Sequence, residues 1–256
     1  MQISSIIITY NRIEDAKIQM ELIRNLWTQE PLLKNVTIYH IYNGNPEWYT
    51  EKYIEDSLIT RKNPGHLLGA ADLINTGIQN AVKNTKENSH YIIITSADTW
   101  IIQPTKLANI INAMQNKAYL VATSHWFLQK ALATEFFVIK ASFAHKVFPL
   151  DIEKYKKQNK IPPGAEKSVV ELTFAKKITT ALNCTFGDAI WNKNVYLIPE
   201  RRWIHYFKNR YHTKKLGYIS SHNINKKRKF LIQKDLAKYG ASIRKFINTK
   251  TTSTQG

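Results

Sequence analysis

Asp98 is the acid whose setting best suits chemistry. It lies in the segment Tyr91-Ile92-Ile93-Ile94-Thr95-Ser96-Ala97-Asp98-Thr99-Trp100, where an apolar run gives way to small polar residues. Such a run, β-branched and without polar alternation, predicts a parallel strand covered on both faces. Open α/β sheets bind ligands beyond the carboxyl ends of their strands, so a carboxylate delivered there is placed to meet a ligand. The same residue could instead cap the helix predicted from near Pro104, or close a turn.

The elements that would position Asp98 repeat the same plan. Ile3-Ser4-Ser5-Ile6-Ile7-Ile8 runs into Thr9-Tyr10-Asn11-Arg12 and then a helical pattern, Ala16, Met20, Ile23, Leu26 and Trp27. Val36-Thr37-Ile38-Tyr39-His40-Ile41-Tyr42 stops at Asn43-Gly44-Asn45-Pro46, which is strong turn chemistry. Asn63-Pro64-Gly65 precedes a helical stretch from Leu67 to Ile78, which leads into the strand ending at Asp98. Phe136-Phe137-Val138-Ile139 reads as a further core strand, with Thr134-Glu135 entering it and His125-Trp126 before it. Strands alternating with helices predict a parallel, right-handed α/β unit.

These residues resemble the GT-A glycosyltransferases, particularly the family-2-like group that uses nucleotide-sugar donors. Ile6-Ile7-Ile8-Thr9-Tyr10-Asn11-Arg12 is similar to that group's first strand and loop. Ser96-Ala97-Asp98 falls where its Asp-x-Asp motif falls, and Asn75-Thr76-Gly77 resembles the Asn-x-Gly on the preceding helix. The resemblance covers residues 1 to about 150 and thins afterwards. It implies an α/β, GT-A-like (Rossmann-related) fold, with a mostly parallel central sheet flanked by helices. It also implies transfer of a sugar from a nucleotide sugar, with Thr9, Tyr10, Arg12, Asn43 and Asp72 near the nucleotide. Ser96, Ala97 and Asp98 would then lie at the diphosphate, with Asp98 on a Mn²⁺ or Mg²⁺ ion.

Two positions depart from the group's pattern. Ser96 stands where the first Asp of Asp-x-Asp would be, and a Ser is a poorer ligand for a hard cation than a carboxylate, so either Asp98 holds the metal with the diphosphate, water and a later side chain, or the donor binds with little or no metal. Asn43 replaces the acid that usually ends the second strand; its amide offers both a donor and an acceptor to a uracil edge. Breaking the bond between sugar and diphosphate builds negative charge on the leaving group, which a metal, Lys or Arg can offset. An inverting transfer also needs a carboxylate base for the acceptor hydroxyl. Past the sheet the candidates are Glu135, Asp151, Glu153, Glu166, Glu171 and Asp188. Glu166, opening a helix after Pro162-Pro163-Gly164-Ala165, is the first choice, and Glu171 the second; a first-turn acid favoured by the helix dipole is the plainer reading. His125, Trp126 and Glu135 are expected on the acceptor side. In the resembling proteins a late His often returns to the metal, a role open to His205 and His222.

Composition bounds the rest. The 256 residues, 43% of them hydrophobic, supply one large core, and no repeat divides the chain. The expected division is a catalytic domain over 1–200 (a donor-binding half 1–100, an acceptor-side half 101–200), a basic amphipathic helical segment over 201–248, and a polar, disordered tail over 249–256. No signal peptide is apparent, no apolar stretch approaches the roughly 20 residues that span a bilayer, and the lone Cys184 forms no disulfide framework. A cytoplasmic setting follows as the expectation.

The net charge of +18 is concentrated late in the chain: residues 201–250 hold 15 Lys and Arg against Asp235 alone. Lys226-Lys227-Arg228-Lys229 precedes apolar residues mostly at three- and four-residue spacing, from Phe230 to Ile247. A basic amphipathic helix of this kind can lie on an anionic membrane surface, as would suit a glycan or lipid-linked acceptor in polysaccharide or lipopolysaccharide synthesis at the inner leaflet. The same charge, interleaved with Trp203, Tyr206, Phe207, Tyr211 and Tyr218, is the footprint of nucleic-acid binding, but no zinc-finger spacing or RNP signature accompanies it. A nucleotidyltransferase on a similar fold is a nearer rival, although neither its Gly-rich phosphate loop nor a P-loop is present.

Overall fold

The computed structural model describes residues 1–45, 47, 58–83, 89–101, 103–126, 130–191, 194–198 and 220–221. Strand β1 (Gln2–Thr9) leads into α1 (Ile13–Asn25), two 3-10 turns (Trp27–Gln29 and Pro31–Leu33) and β2 (Val36–Tyr42). Then come β3 (Leu58–Thr60), α2 (His66–Lys83), β4 (His90–Ser96), β5 (Trp100–Ile101), α3 (Pro104–Asn116), β6 (Val121–Trp126) and β7 (Ala131–Lys140). Helices α4 (Ala141–Val147) and α5 (Ile152–Gln158), a 3-10 turn (Glu166–Ser168), α6 (Val169–Leu182), α7 (Phe186–Trp191), β8 (Val195–Leu197) and β9 (Ser220–Ser221) complete the described elements.

Among these residues, seven strands form one sheet in the order β3-β2-β1-β4-β7-β6-β8, and β5 pairs with β9. β3, β2, β1 and β4 run parallel; β7 is antiparallel to both β4 and β6, and β8 is parallel to β6. The expected mostly parallel α/β sheet is therefore present, with β7 reversed within it. Consecutive isoleucines form β1 and β4 because both faces are covered. Ile7 and Ile93 face Leu22 of α1, Trp27 and Ile111 of α3, whereas Ile6, Ile92 and Ile94 face Ile74 and Ile78 of α2 and Phe174 of α6.

The Asn75-Thr76-Gly77 motif explains itself as packing. A Cβ on Gly77 would collide with Cγ2 of Ile6, so only glycine lets α2 lie this close to β1. Asn75 ties α2 to the segment after α4: Nδ2 donates to the Leu150 carbonyl at 3.0 Å, and Oδ1 accepts from the Leu150 N–H at 2.7 Å. The middle of α2 is thereby held against β1, whose carboxyl end borders the site.

No described helix is long and apolar enough to cross a membrane. The basic segment 201–248, apart from Ser220–Ser221, and the tail 249–256 lie outside the described residues, as do His205 and His222.

Candidate active site

β1 has β2 on one side and β4 on the other, so the strand order changes direction at β1, which is where open α/β sheets form their ligand crevice. A cavity of about 630 Å³ opens there, lined by Thr9 to Arg12 after β1, Asn43 after β2, Asn63 and Gly65 before α2, Gly69, Ala70 and Leu73 on α2, and Ser96 to Asp98 after β4. Main-chain bonds lock these strand ends together. Asn43 N donates to Thr9 O (3.2 Å), Ala97 N to Ile8 O (3.0 Å) and Arg61 N to Tyr42 O (2.7 Å).

Asn43 is 3% exposed and its amide orientation follows from its partner. Nδ2 donates to the Gly69 carbonyl at 3.1 Å, which leaves Oδ1 as a buried acceptor without a hydrogen bond among the described residues. Gly69 makes this contact feasible, since a side chain there would run into Asn63 Oδ1 and crowd Asn43. A buried carbonyl oxygen left unmatched costs about 1–3 kcal/mol. Tyr10, half exposed, stands at the mouth of the cavity.

The opposite wall is ionic. Arg12, at the start of α1, donates from Nε to Asp15 Oδ2 at 2.6 Å and from Nη1 to Asp98 Oδ2 at 2.9 Å. Asp98 Oδ1 accepts from the Ser96 hydroxyl at 3.0 Å, and Ser96 Oγ lies 2.8 Å from Thr99 Oγ1 in a turn closed by Thr99 N to Ser96 O. Both carboxylate oxygens of Asp98 are thus engaged. Because Ser96 directs its one proton at Asp98, it must accept from Thr99.

The Mn²⁺ or Mg²⁺ ion that the resemblance implies would have to displace the Arg12 guanidinium from Asp98 Oδ2, and His205 and His222, expected to complete its site, lie outside the described residues. The described residues contain no group of three or more His, Cys, Asp or Glu side chains that could hold an ion. A divalent ion on Asp98 about 4 Å from the guanidinium would meet a repulsion of about 8 kcal/mol at an effective dielectric near 20.

Behind the cavity wall, His40 of β2 is buried and its Nε2 lies 3.0 Å from Thr9 Oγ1. Burial, followed by the nearby Lys17 charge, lowers its pKa to about 4, so the imidazole is neutral at neutral pH. Asp72, expected near the nucleotide, does not line the cavity. Its two oxygens take Nε and Nη2 of Arg61 at 3.1 and 2.9 Å on the outer face of α2.

The acceptor-side candidates gather at the same sheet edge. β7 is antiparallel to β4, so its N-terminal half lies at the end of β4 that carries Asp98. Thr95↔Phe136 is the last β4–β7 pair, and Ser96 and Glu135 are each the next residue beyond it. Glu171, half-buried in the first turn of α6, accepts from Thr134 Oγ1 at 3.3 Å. Glu166 is exposed and turns its Oε1 back onto the Gly164 N–H at 3.2 Å. Asp151 caps α5 through the Lys154 N–H, Glu153 pairs with Lys156, and Asp188 accepts from Thr185. His125 is half-buried on β6, and the main chain of Trp126 pairs with Ala131.

Three cavity features went unread in the sequence. Asn63 and Gly69 were visible only as turn and helix residues, because β3 is three residues long and leaves little pattern. The Arg12–Asp98 pair joins residues 86 positions apart, for which no local signal exists.

No protein-family model matches the chain, and no curated protein sequence does. Solved structures do. The glycosyltransferase GlyE of Streptococcus pneumoniae TIGR4 is 10% identical with a TM-score of 0.50, over 97% of this chain and 63% of its own. The fold is GT-A-like. A nucleotide-diphospho-sugar transferase from Desulfovibrio desulfuricans G20 is 11% identical with a TM-score of 0.44, covering 96% of this chain and 99% of its own. Residues 1-349 of S. aureus TarS are 12% identical with a TM-score of 0.43, covering 69% and 55%. This chain therefore spans under two thirds of the GlyE and TarS structures. At such identities the likeness concerns the fold.

Proposed function

We propose that this protein is a glycosyltransferase that takes a sugar from a nucleotide-sugar donor, a UDP-sugar by preference. The observation that carries the reading is the cavity at the change of strand order, with a buried amide acceptor on one wall and a guanidinium on the other. With Nδ2 committed to Gly69, Asn43 Oδ1 suits a base presenting a ring N–H, as uracil does at N3. Cytosine presents an acceptor there and would be disfavoured. Thr9, Tyr10 and Arg12 would border the nucleotide and its diphosphate, with Ser96, Ala97 and Asp98 beside them.

Transfer to a hydroxyl with inversion requires a base on the far side of the sugar, and Glu171 is the better supported of the two candidates. It is half-buried at the sheet edge that carries Asp98 and is oriented by Thr134, whereas Glu166 is exposed and spends its carboxylate on a local turn. Glu135, His125 and Trp126 would border the acceptor. A glycan or lipid-linked acceptor of cell-surface polysaccharide or lipopolysaccharide synthesis, reached at an anionic inner-leaflet surface through the basic segment, completes the proposal.

A thermal-shift panel of UDP, dTDP, GDP and CDP with their sugars tests it, since a ligand that binds the native state raises its melting temperature. Stabilisation by uracil nucleotides above cytosine nucleotides is expected. No shift from any of them, with salt-sensitive binding to RNA or DNA instead, would discard the transferase.

A further inference from the structure

We infer that the donor diphosphate is neutralised by Arg12 and not by a divalent cation at Asp98, so that donor binding here is metal-independent. The inference rests on the nucleotide-sugar reading above and concerns the charge at its centre.

Three features of the wall carry it. The place beside Asp98 Oδ2 that a cation would occupy holds a guanidinium nitrogen at 2.9 Å. Ser96, standing where a second carboxylate would complete an ion site, is a hydrogen-bond donor to Asp98 and so offers it a proton. Arg12 is held by two carboxylates but keeps 33% of its side chain exposed, while Asp15 and Asp98 are 5% and 16% exposed. The guanidinium is thus the most exposed of the three groups, and it lines the cavity together with Asp98.

Asp15 lies in the first turn of α1, where the helix N-terminus partly offsets its charge, so the two carboxylates and the guanidinium together are less negative than their formal −1. Arg presents five N–H donors in one plane, a geometry suited to phosphate oxygens. In the transfer, a lone pair of the acceptor oxygen forms the new bond to the anomeric carbon. The bond from that carbon to the β-phosphate oxygen breaks, and its electron pair stays with the diphosphate facing Arg12. The acceptor proton passes to the carboxylate base. Asp98 then serves as a positioning residue for Arg12.

Calorimetric titration of the full chain with UDP, in EDTA and in excess Mn²⁺ or Mg²⁺, tests this directly. Affinities within about threefold of one another are expected, and binding that disappears in EDTA would overturn the inference while leaving the transferase intact. Arg12→Gln should weaken UDP about 30-fold, the loss of one charge-assisted contact, and leave uridine binding unchanged. Asp98→Ala separates the two roles: as a positioning residue its loss changes UDP affinity only a few-fold, and as a metal ligand its loss abolishes binding. Should Arg12→Gln not fold, the wild-type comparison in EDTA and metal decides alone. Absence of UDP binding in every buffer would remove the nucleotide reading and this inference with it.

Discussion

The proposed donor and acceptor sides of the site are built differently. On the donor side, the ends of β1, β2 and β4 are joined by main-chain hydrogen bonds, and Thr9 and Asn43 are almost wholly buried. The acceptor side depends on the reversed strand β7 and the start of α6, whose carboxylates are half-buried and held by side chains. Parallel register positions the first set to within a residue; packing of a helix on a strand positions the second. The difference teaches that substitutions on the donor side should affect binding and stability, whereas those on the acceptor side should affect turnover with binding preserved.

The sharpest break of that division is Glu171→Gln. On the donor selected by thermal shift, turnover should fall about 10³-fold, the middle of the range for loss of a general base, with nucleotide affinity unchanged. An equal loss of affinity would make Glu171 a structural residue. Next in size is a pH effect on the donor side. The His40 pKa is lowered from 6.5 in the unfolded chain to about 4 in the fold, so the unfolded chain binds the extra proton first. Stability from the neutral buried ring is complete above pH 6.5 and is lost as pH falls towards 4, by up to about 3 kcal/mol. Urea denaturation from pH 7 to 4 should show this slope, and His40→Gln should flatten it.

Gly77→Ala should cost about 2 kcal/mol through the collision with Ile6, measured as a lowered urea midpoint. If it also altered turnover without loss of stability, α2 would be part of the chemistry. Asn43→Ala should weaken UDP about tenfold and erase the preference over CDP, with turnover at saturating donor retained. The smallest effect is assigned to Glu166→Gln, a change in turnover under threefold; a loss matching that of Glu171→Gln would return the base to the 3-10 turn.

Much of the donor side was legible in the sequence. β2 spans Val36–Tyr42 as its apolar run predicted, and Ala16, Met20 and Ile23 of α1 are buried as their spacing required. Continuous apolar runs signal strands covered on both faces, and the polar residue that ends each run marks the crevice. The acceptor side was less legible. The core segment Phe136 to Ile139 extends to Ala131–Lys140, and its antiparallel direction follows from its neighbours, since the run of apolar residues is the same for either direction. For the acids, a position at the start of a helix does not say whether the carboxylate faces a strand, as Glu171 does, or folds back onto a turn, as Glu166 does.

By itself the sequence determined the strands, the helices between them and the residues at the strand ends, because periodicity and turn chemistry act over a few neighbouring residues. Tertiary structure alone decided the order of strands, the reversal of β7 and the pairing of Arg12 with Asp98. A guanidinium and a carboxylate 86 residues apart meet only once β1 and β4 lie side by side. The charge that faces the cavity is therefore a property of the packed sheet.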